Sequence, residues 1–178
     1  PTGNVTADKF LKVASVSGSG ATGIGQLSFA DAGGNTPAFQ VTKSSSQSVN
    51  HATTTKVTFD TETFDTDSAF ASDKFTAPSA GKYLFNIHAQ VGRGVDSDVY
   101  RIYLMLYKNG SQVNLVNNNL AGTDGRILPA SLSQVIDLST NDYVEVYVNA
   151  ATSSTNSVSV EGGSTQTAVF NGFKLGGV

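Results

Sequence analysis

From Lys82 to Val91 the chain reads KYLFNIHAQV, and its large apolar residues recur at every second position. Tyr83, Phe85, Ile87 and Ala89 share one face of an extended strand, while Lys82, Leu84, Asn86, His88 and Gln90 share the other. A turn, Pro78-Ser-Ala-Gly81, comes just before it. A helix would scatter these side chains around its circumference, so the stretch commits the chain to a sheet with one buried face. The opposite face should be polar where it meets water. Leu84 sits there with Asn86 and His88, which suits a face partly covered by another subunit.

The same signal recurs along the chain. AFQVTK places Phe39 and Val41 on one face, and KVTFDTETF does the same with Val57 and Phe59 and extends towards Phe64. VYRIYLMLYKNGSQVNLV is two strands around Asn109-Gly110, the strongest short hairpin signal. ASLSQVIDL and DYVEVYVNA follow, the latter with Val144, Val146 and Val148 on one face, and NSVSVEGG and TAVFNGFKL close the series. Hydrophobic residues make up 39% of the chain and charged residues 14%, with 18 glycines and much Ser, Thr and Asn. Many short strands at this spacing, with so few helix formers, indicate an all-β sandwich or jelly roll. Residues 1–37 differ. ADKFLKVASV and QLSFADAGGNTP flank the linker-like SGSGATGIG, whose glycines lack the every-third spacing of collagen. We read 1–37 as an arm or stalk with two short strands, and 38–178 as the globular head.

Several function classes fall away. The net charge is −3 and no basic stretch stands out, which argues against nucleic acid. No apolar run is long enough to span a bilayer, and the first residues do not read as a signal peptide. The absence of cysteine fits synthesis in a reducing cytoplasm. Pro1 fits a start from which the initiator methionine was removed, and fits a boundary within a longer chain equally well. The serines include no G-x-S-x-G elbow, the carboxylates form no paired glycosidase site, and SGSGATGIG lacks a phosphate-binding lysine. The expectation is a non-enzymatic protein with no required cofactor. His51 falls in a polar loop and is expected to be solvated. His88 is expected to be hydrogen-bonded in packing, since a zinc site needs three or four converging ligands. Asp96 and Asp98, with Asp124, form the best calcium candidate, although Asp and Gly are equally what turns use.

Taken in order, these features resemble the globular heads of complement component 1q and their tumour-necrosis-factor relatives. The resemblance rests on Ala38-Phe39-Gln-Val41, on Val57-Thr-Phe59, and on Lys74-Phe75 through Pro78, Gly81, Tyr83 and Phe85. It continues in Leu106-Tyr-Lys108-Asn109-Gly110, in Leu138 through Asp142 and Val144, and in Phe170-Asn-Gly172-Phe173-Lys-Leu175. The family's usual cysteine and its frequent collagen stalk are missing. The resemblance implies a jelly roll whose inner sheet packs around a threefold axis, and a calcium ion near the trimer apex in some members. Leu84 and Val169, with Phe173 nearby, match the axis-facing positions, and alternation adds Asn86, His88 and Ser131 to that interface.

The segment GNVTADKF is similar to short pieces of bacteriophage tail-fibre and head-fibre shafts. With the cysteine-free, Ser/Thr/Asn-rich head, this implies a homotrimeric protein on the virion surface. Its arm would join the major capsid protein or fibre and tail proteins. Capsid decoration is favoured if the short arm is complete. The alternatives are a fibre tip that binds a host-surface glycan or protein receptor, and a bacterial surface or spore-coat head.

Overall fold

The structure, a computed structural model, describes residues 9–17, 24–31, 36–93, 99–120, 125–163 and 166–176. They form fifteen strands, and no helix occurs among them. The strands are β1 (Lys9–Ser17), β2 (Ile24–Asp31), β3 (Ala38–Thr42), β4 (Gln47–Val49) and β5 (Thr55–Lys56). Next come β6 (Thr61–Asp65), β7 (Phe70–Ala71), β8 (Lys74–Thr76), β9 (Gly81–Arg93) and β10 (Val99–Lys108). The last five are β11 (Ser111–Asn119), β12 (Ile127–Leu138), β13 (Tyr143–Thr152), β14 (Val158–Val160) and β15 (Ala168–Lys174).

Two compact units divide the chain, one ending at Gly34 and the other spanning Asn35–Gly176. In the first, β1 and β2 pair as an antiparallel hairpin. In the second, two antiparallel sheets make a jelly-roll-like sandwich. The six-stranded sheet runs β11-β10-β13-β8-β7, with β5 also on β13. The seven-stranded sheet runs β4-β14-β9-β15-β3-β6, with β12 along the other side of β9.

The inward face of β9 builds the core as its alternation requires. Tyr83, Phe85, Ile87, Ala89 and Val91 are buried, facing Ile102, Leu104 and Leu106 of β10 and Val144, Val146 and Val148 of β13. Phe39, Phe75, Phe85 and Phe170 form the aromatic centre. The rings of Phe39 and Phe75 stack at 4.9 Å, and Phe170 meets Phe39 edge-on at 4.9 Å. Burying each such side chain contributes roughly 1.5–3 kcal/mol. The buried Tyr83 hydroxyl donates to the Ser79 carbonyl at 2.6 Å, so the turn before β9 satisfies the polar end of a core ring.

Gly172 explains the glycine among the aromatics of β15. It lies opposite Phe85 in the register, and a Cβ there would meet the Phe85 ring at 2.5 Å and the Leu84 carbonyl at 2.9 Å. Only glycine allows β15 to lie this close to β9. The Asn109-Gly110 turn joins β10 to β11 with φ of 50° and 78°, as a two-residue hairpin turn needs.

One segment departs from the alternation. Val57 is buried and Phe59 packs against the core, but the run does not continue as a strand, and Phe64 is 45% exposed. Between them the Asp60 carboxylate accepts the Ser44 and Ser45 N–H groups. The buried Lys43 donates to the carbonyl and hydroxyl of Thr58. This polar junction interrupts the strand. β6 restarts beyond it against β3, with a bulge at Gln40/Val41 that places Phe64 opposite Gln40, outside the core.

Candidate functional site

The outward face of the seven-stranded sheet is built in layers along β9. β12 lies on one side of β9 and β15 on the other, and the two registers bring outward residues side by side. The first layer is the charged pair of Lys82 and Asp137. The second is apolar and joins Leu84, Val135 and Phe173. The third is polar and joins Asn86, Ser133 and Asn171. In the fourth, His88 stands between Ser131 and Val169.

The polar layers are internally connected. Ser133 Oγ donates to Asn86 Oδ1 at 2.8 Å, and Asn86 Nδ2 donates to Asn171 Oδ1 at 3.2 Å. His88 Nδ1 is 2.9 Å from Ser131 Oγ, a hydrogen bond whose donor depends on the imidazole tautomer. Together these five residues, with Val169, line a depression of about 370 Å³. Beyond the Lys82–Asp137 pair, the four layers carry no acid and no permanent cation.

All six positions expected on this face are described, and the register sets them within three adjacent layers. Ser133, Val135 and Asn171 belong with them, although sequence reasoning did not name them. The signal lay in the alternation of ASLSQVIDL, blurred because inward-pointing Gln134 is polar. It is held at the sandwich edge by Asn114, whose Nδ2 donates to Gln134 Oε1 at 2.7 Å. Exposed apolar side chains mark both edges of the face, Val135 (45% exposed) and Ile127 (53%) on β12 and Phe64 on β6.

Asp96, Asp98 and Asp124 lie outside the described residues. Among the described residues, no three His, Asp or Glu side chains gather in a way that could hold a metal ion within one chain. His51 is anchored where solvation was expected. Its Nδ1 accepts the Thr152 N–H at 3.1 Å, fastening the loop after β4 to the end of β13. The strongly shifted carboxyls belong to loops. The Ser44 backbone N–H, followed by the Ser45 and Thr61 groups, holds Asp60 far below the usual carboxylate range. Burial lowers Lys43.

Comparison with known proteins agrees with this architecture. The C1q domain profile matches residues 38–175. The chain belongs to the C1q domain family. The globular domain of zebrafish complement 1qA superposes with a TM-score of 0.55 at 22% identity, over 78% of this chain and 97% of that one. Murine APRIL superposes at 0.53 and 12% identity, over 78% and 98%. At these identities the likeness speaks to the fold. No curated protein matches by sequence. C1q and tumour-necrosis-factor-like domains are generally non-enzymatic binding or structural modules, and they typically form homotrimers.

Proposed function

We propose that the chain is a homotrimeric, non-enzymatic surface protein of a bacteriophage particle, a capsid decoration or head-fibre protein. The outward face of the seven-stranded sheet is its contact between copies, and residues 1–37 attach the head, 38–178, to the particle. The layered face carries this reading. Leu84, Val135 and Phe173 form a continuous apolar row where an isolated sandwich would meet water. Covering such side chains contributes up to roughly 1.5–3 kcal/mol each, and a threefold ring repeats each gain three times. The apolar residues at the two edges favour a ring over a twofold pair. A ring sets the β12 edge of one copy against the β6 side of the next, whereas a twofold axis sets each patch against its own like. The virion assignment rests on the similarity of GNVTADKF to phage fibre segments and on a cysteine-free, Ser/Thr/Asn-rich head.

Light scattering coupled to size exclusion tests the assembly. The wild-type chain should run as a trimer at micromolar concentration. Leu84→Asp, which sets three like charges in a closing interface, should give monomer or aggregate. A monomeric wild type sinks the assembly reading. The particle assignment is tested separately, by labelling purified virions with an antibody to the head. Unlabelled virions from cells that express the protein would remove it.

A further inference from the structure

His88 has one ring nitrogen engaged and one available. Nδ1 is hydrogen-bonded to Ser131 across the β9–β12 register, and no other partner bonds the ring among the described residues. Every close neighbour on the face is uncharged: Ser131 and Val169 flank it, Asn86 and Gln90 stand two residues away on β9, and Ser133 and Asn171 complete the next layer. The depression beside the ring holds about 370 Å³. A free chain leaves this imidazole to water. Closing copies over it, as the threefold reading requires, would strand three Nε2 atoms in a neutral polar chamber, and buried polar atoms need partners.

We propose that the three His88 imidazoles of one trimer bind a single divalent transition-metal ion of the zinc class through Nε2. The inference rests on the trimer reading, because one chain supplies one ligand and the site is incomplete without the partner copies. Imidazole nitrogen suits zinc, nickel and copper, and three such ligands with a water make a usual tetrahedral set. Metal-bound histidine commonly donates its other ring N–H to a fixed acceptor, which sets the tautomer and aims the ligating nitrogen. Ser131 Oγ stands at that position. The layer of Asn86, Ser133 and Asn171 offers hydrogen bonds to a metal-bound water, and the apolar layer of Leu84, Val135 and Phe173 shields the chamber from one side. Calcium does not fit here, because it takes six to eight oxygens and the layer holds no carboxylate.

The full chain, stripped with chelator and supplied with zinc chloride, should retain one zinc per three chains after gel filtration, read by elemental analysis. His51→Gln should keep that ratio and His88→Gln should lose it. Ser131→Ala should remain trimeric and bind zinc about 10- to 100-fold more weakly, as loss of a ligand's supporting hydrogen bond does. Cobalt in place of zinc should give a tetrahedral visible band in the wild-type trimer, so the site stays testable if His88→Gln fails to fold. A trimer that retains no zinc, or equal zinc retention by wild type and His88→Gln, overturns the site and leaves the trimer standing. A chain that is monomeric with and without zinc overturns both.

Discussion

The two sheets of the sandwich turn differently finished faces outward. On the six-stranded sheet, Met105 points away from the core, yet it is only 3% exposed. The register places it between Leu115 and Tyr147, and the Tyr107 and Tyr147 rings pack with centroids 4.3 Å apart. Glu145, also outward, is 8% exposed, and Lys56 meets its carboxylate at 2.8 Å. Burial, followed by the neighbouring Glu145, raises the Tyr147 hydroxyl pKa. At its centre this face covers Met105 and Glu145 with side chains of its own chain, while Val113 and Leu115 on its β11 edge stay 46% and 37% exposed. On the seven-stranded sheet both edges stay open, with Val135, Ile127 and Phe64 between 45% and 53% exposed, and the apolar row of Leu84, Val135 and Phe173 runs in from one of them. A face that covers itself contributes to the fold of one copy, whereas a face left open is available to a partner.

The largest effect that separates the faces should come from Met105. Met105→Ala opens a cavity under the tyrosines and should cost about 2–5 kcal/mol. Thermal melts should fall by the same amount at every protein concentration, because the loss is internal to one copy. Leu84→Ala should instead show a concentration-dependent loss, small in dilute solution. If Met105→Ala melts become concentration-dependent, the six-stranded face is also an interface and the contrast fails.

Lys56 should come next. Lys56→Met leaves the Glu145 carboxylate, whose side chain is 11% exposed, without its cation. Breaking a fully buried pair costs about 3–5 kcal/mol, but Lys56 is 29% exposed, so solvent screening reduces this to about 1–3 kcal/mol. Adding Glu145→Gln should recover part of the loss. Denaturant titration of the single and double variants measures it, and an unchanged midpoint for Lys56→Met would show that this face does not depend on the pair.

How much of this was legible in the sequence depends on the range of the interactions. The inward faces of β9 and β13 and the Asn109-Gly110 turn could be read directly, since alternation and turn chemistry are local. The outward row of β9 could be read for the same reason. Val135, Ser133 and Asn171 needed the register of three strands distant in sequence, which alternation within one strand does not supply. Phe64 was misplaced because the junction of Asp60 with Ser44 and Ser45 joins residues about fifteen apart, and a bulge then shifts the register. The cover on the six-stranded face was hidden for a further reason. VYRIYLMLYK has tyrosine, methionine and leucine at successive positions, so alternation cannot tell which tyrosines shield the outward methionine.

The smallest effect should come from Asp142, in the turn before β13 and away from both faces. It accepts from Lys108 Nζ at 2.9 Å, from Asn109 Nδ2 at 2.7 Å and from the Ser139 N–H at 2.8 Å. These hydrogen bonds, that of Lys108 first, lower its pKa from 3.8 to about 2. On acidification the unfolded chain therefore takes up the proton before the folded one does. The stability that Asp142 contributes is full above its unfolded value of 3.8 and is lost as pH falls towards about 2. Asp142→Asn should narrow the difference between melting temperatures measured at the two ends of that window. Asp60, which also titrates below its ordinary range, should keep the difference from vanishing. Both carboxylates anchor loops of a single copy, so their share of the acid loss should not vary with protein concentration. A wild type that dissociates on acidification before it melts would point to the open face, where His88 and Asp137 are the groups of the described layers that can take up a proton. An equal acid loss in wild type and Asp142→Asn would show that the turn's hydrogen bonds to Asp142 do not stabilise the fold.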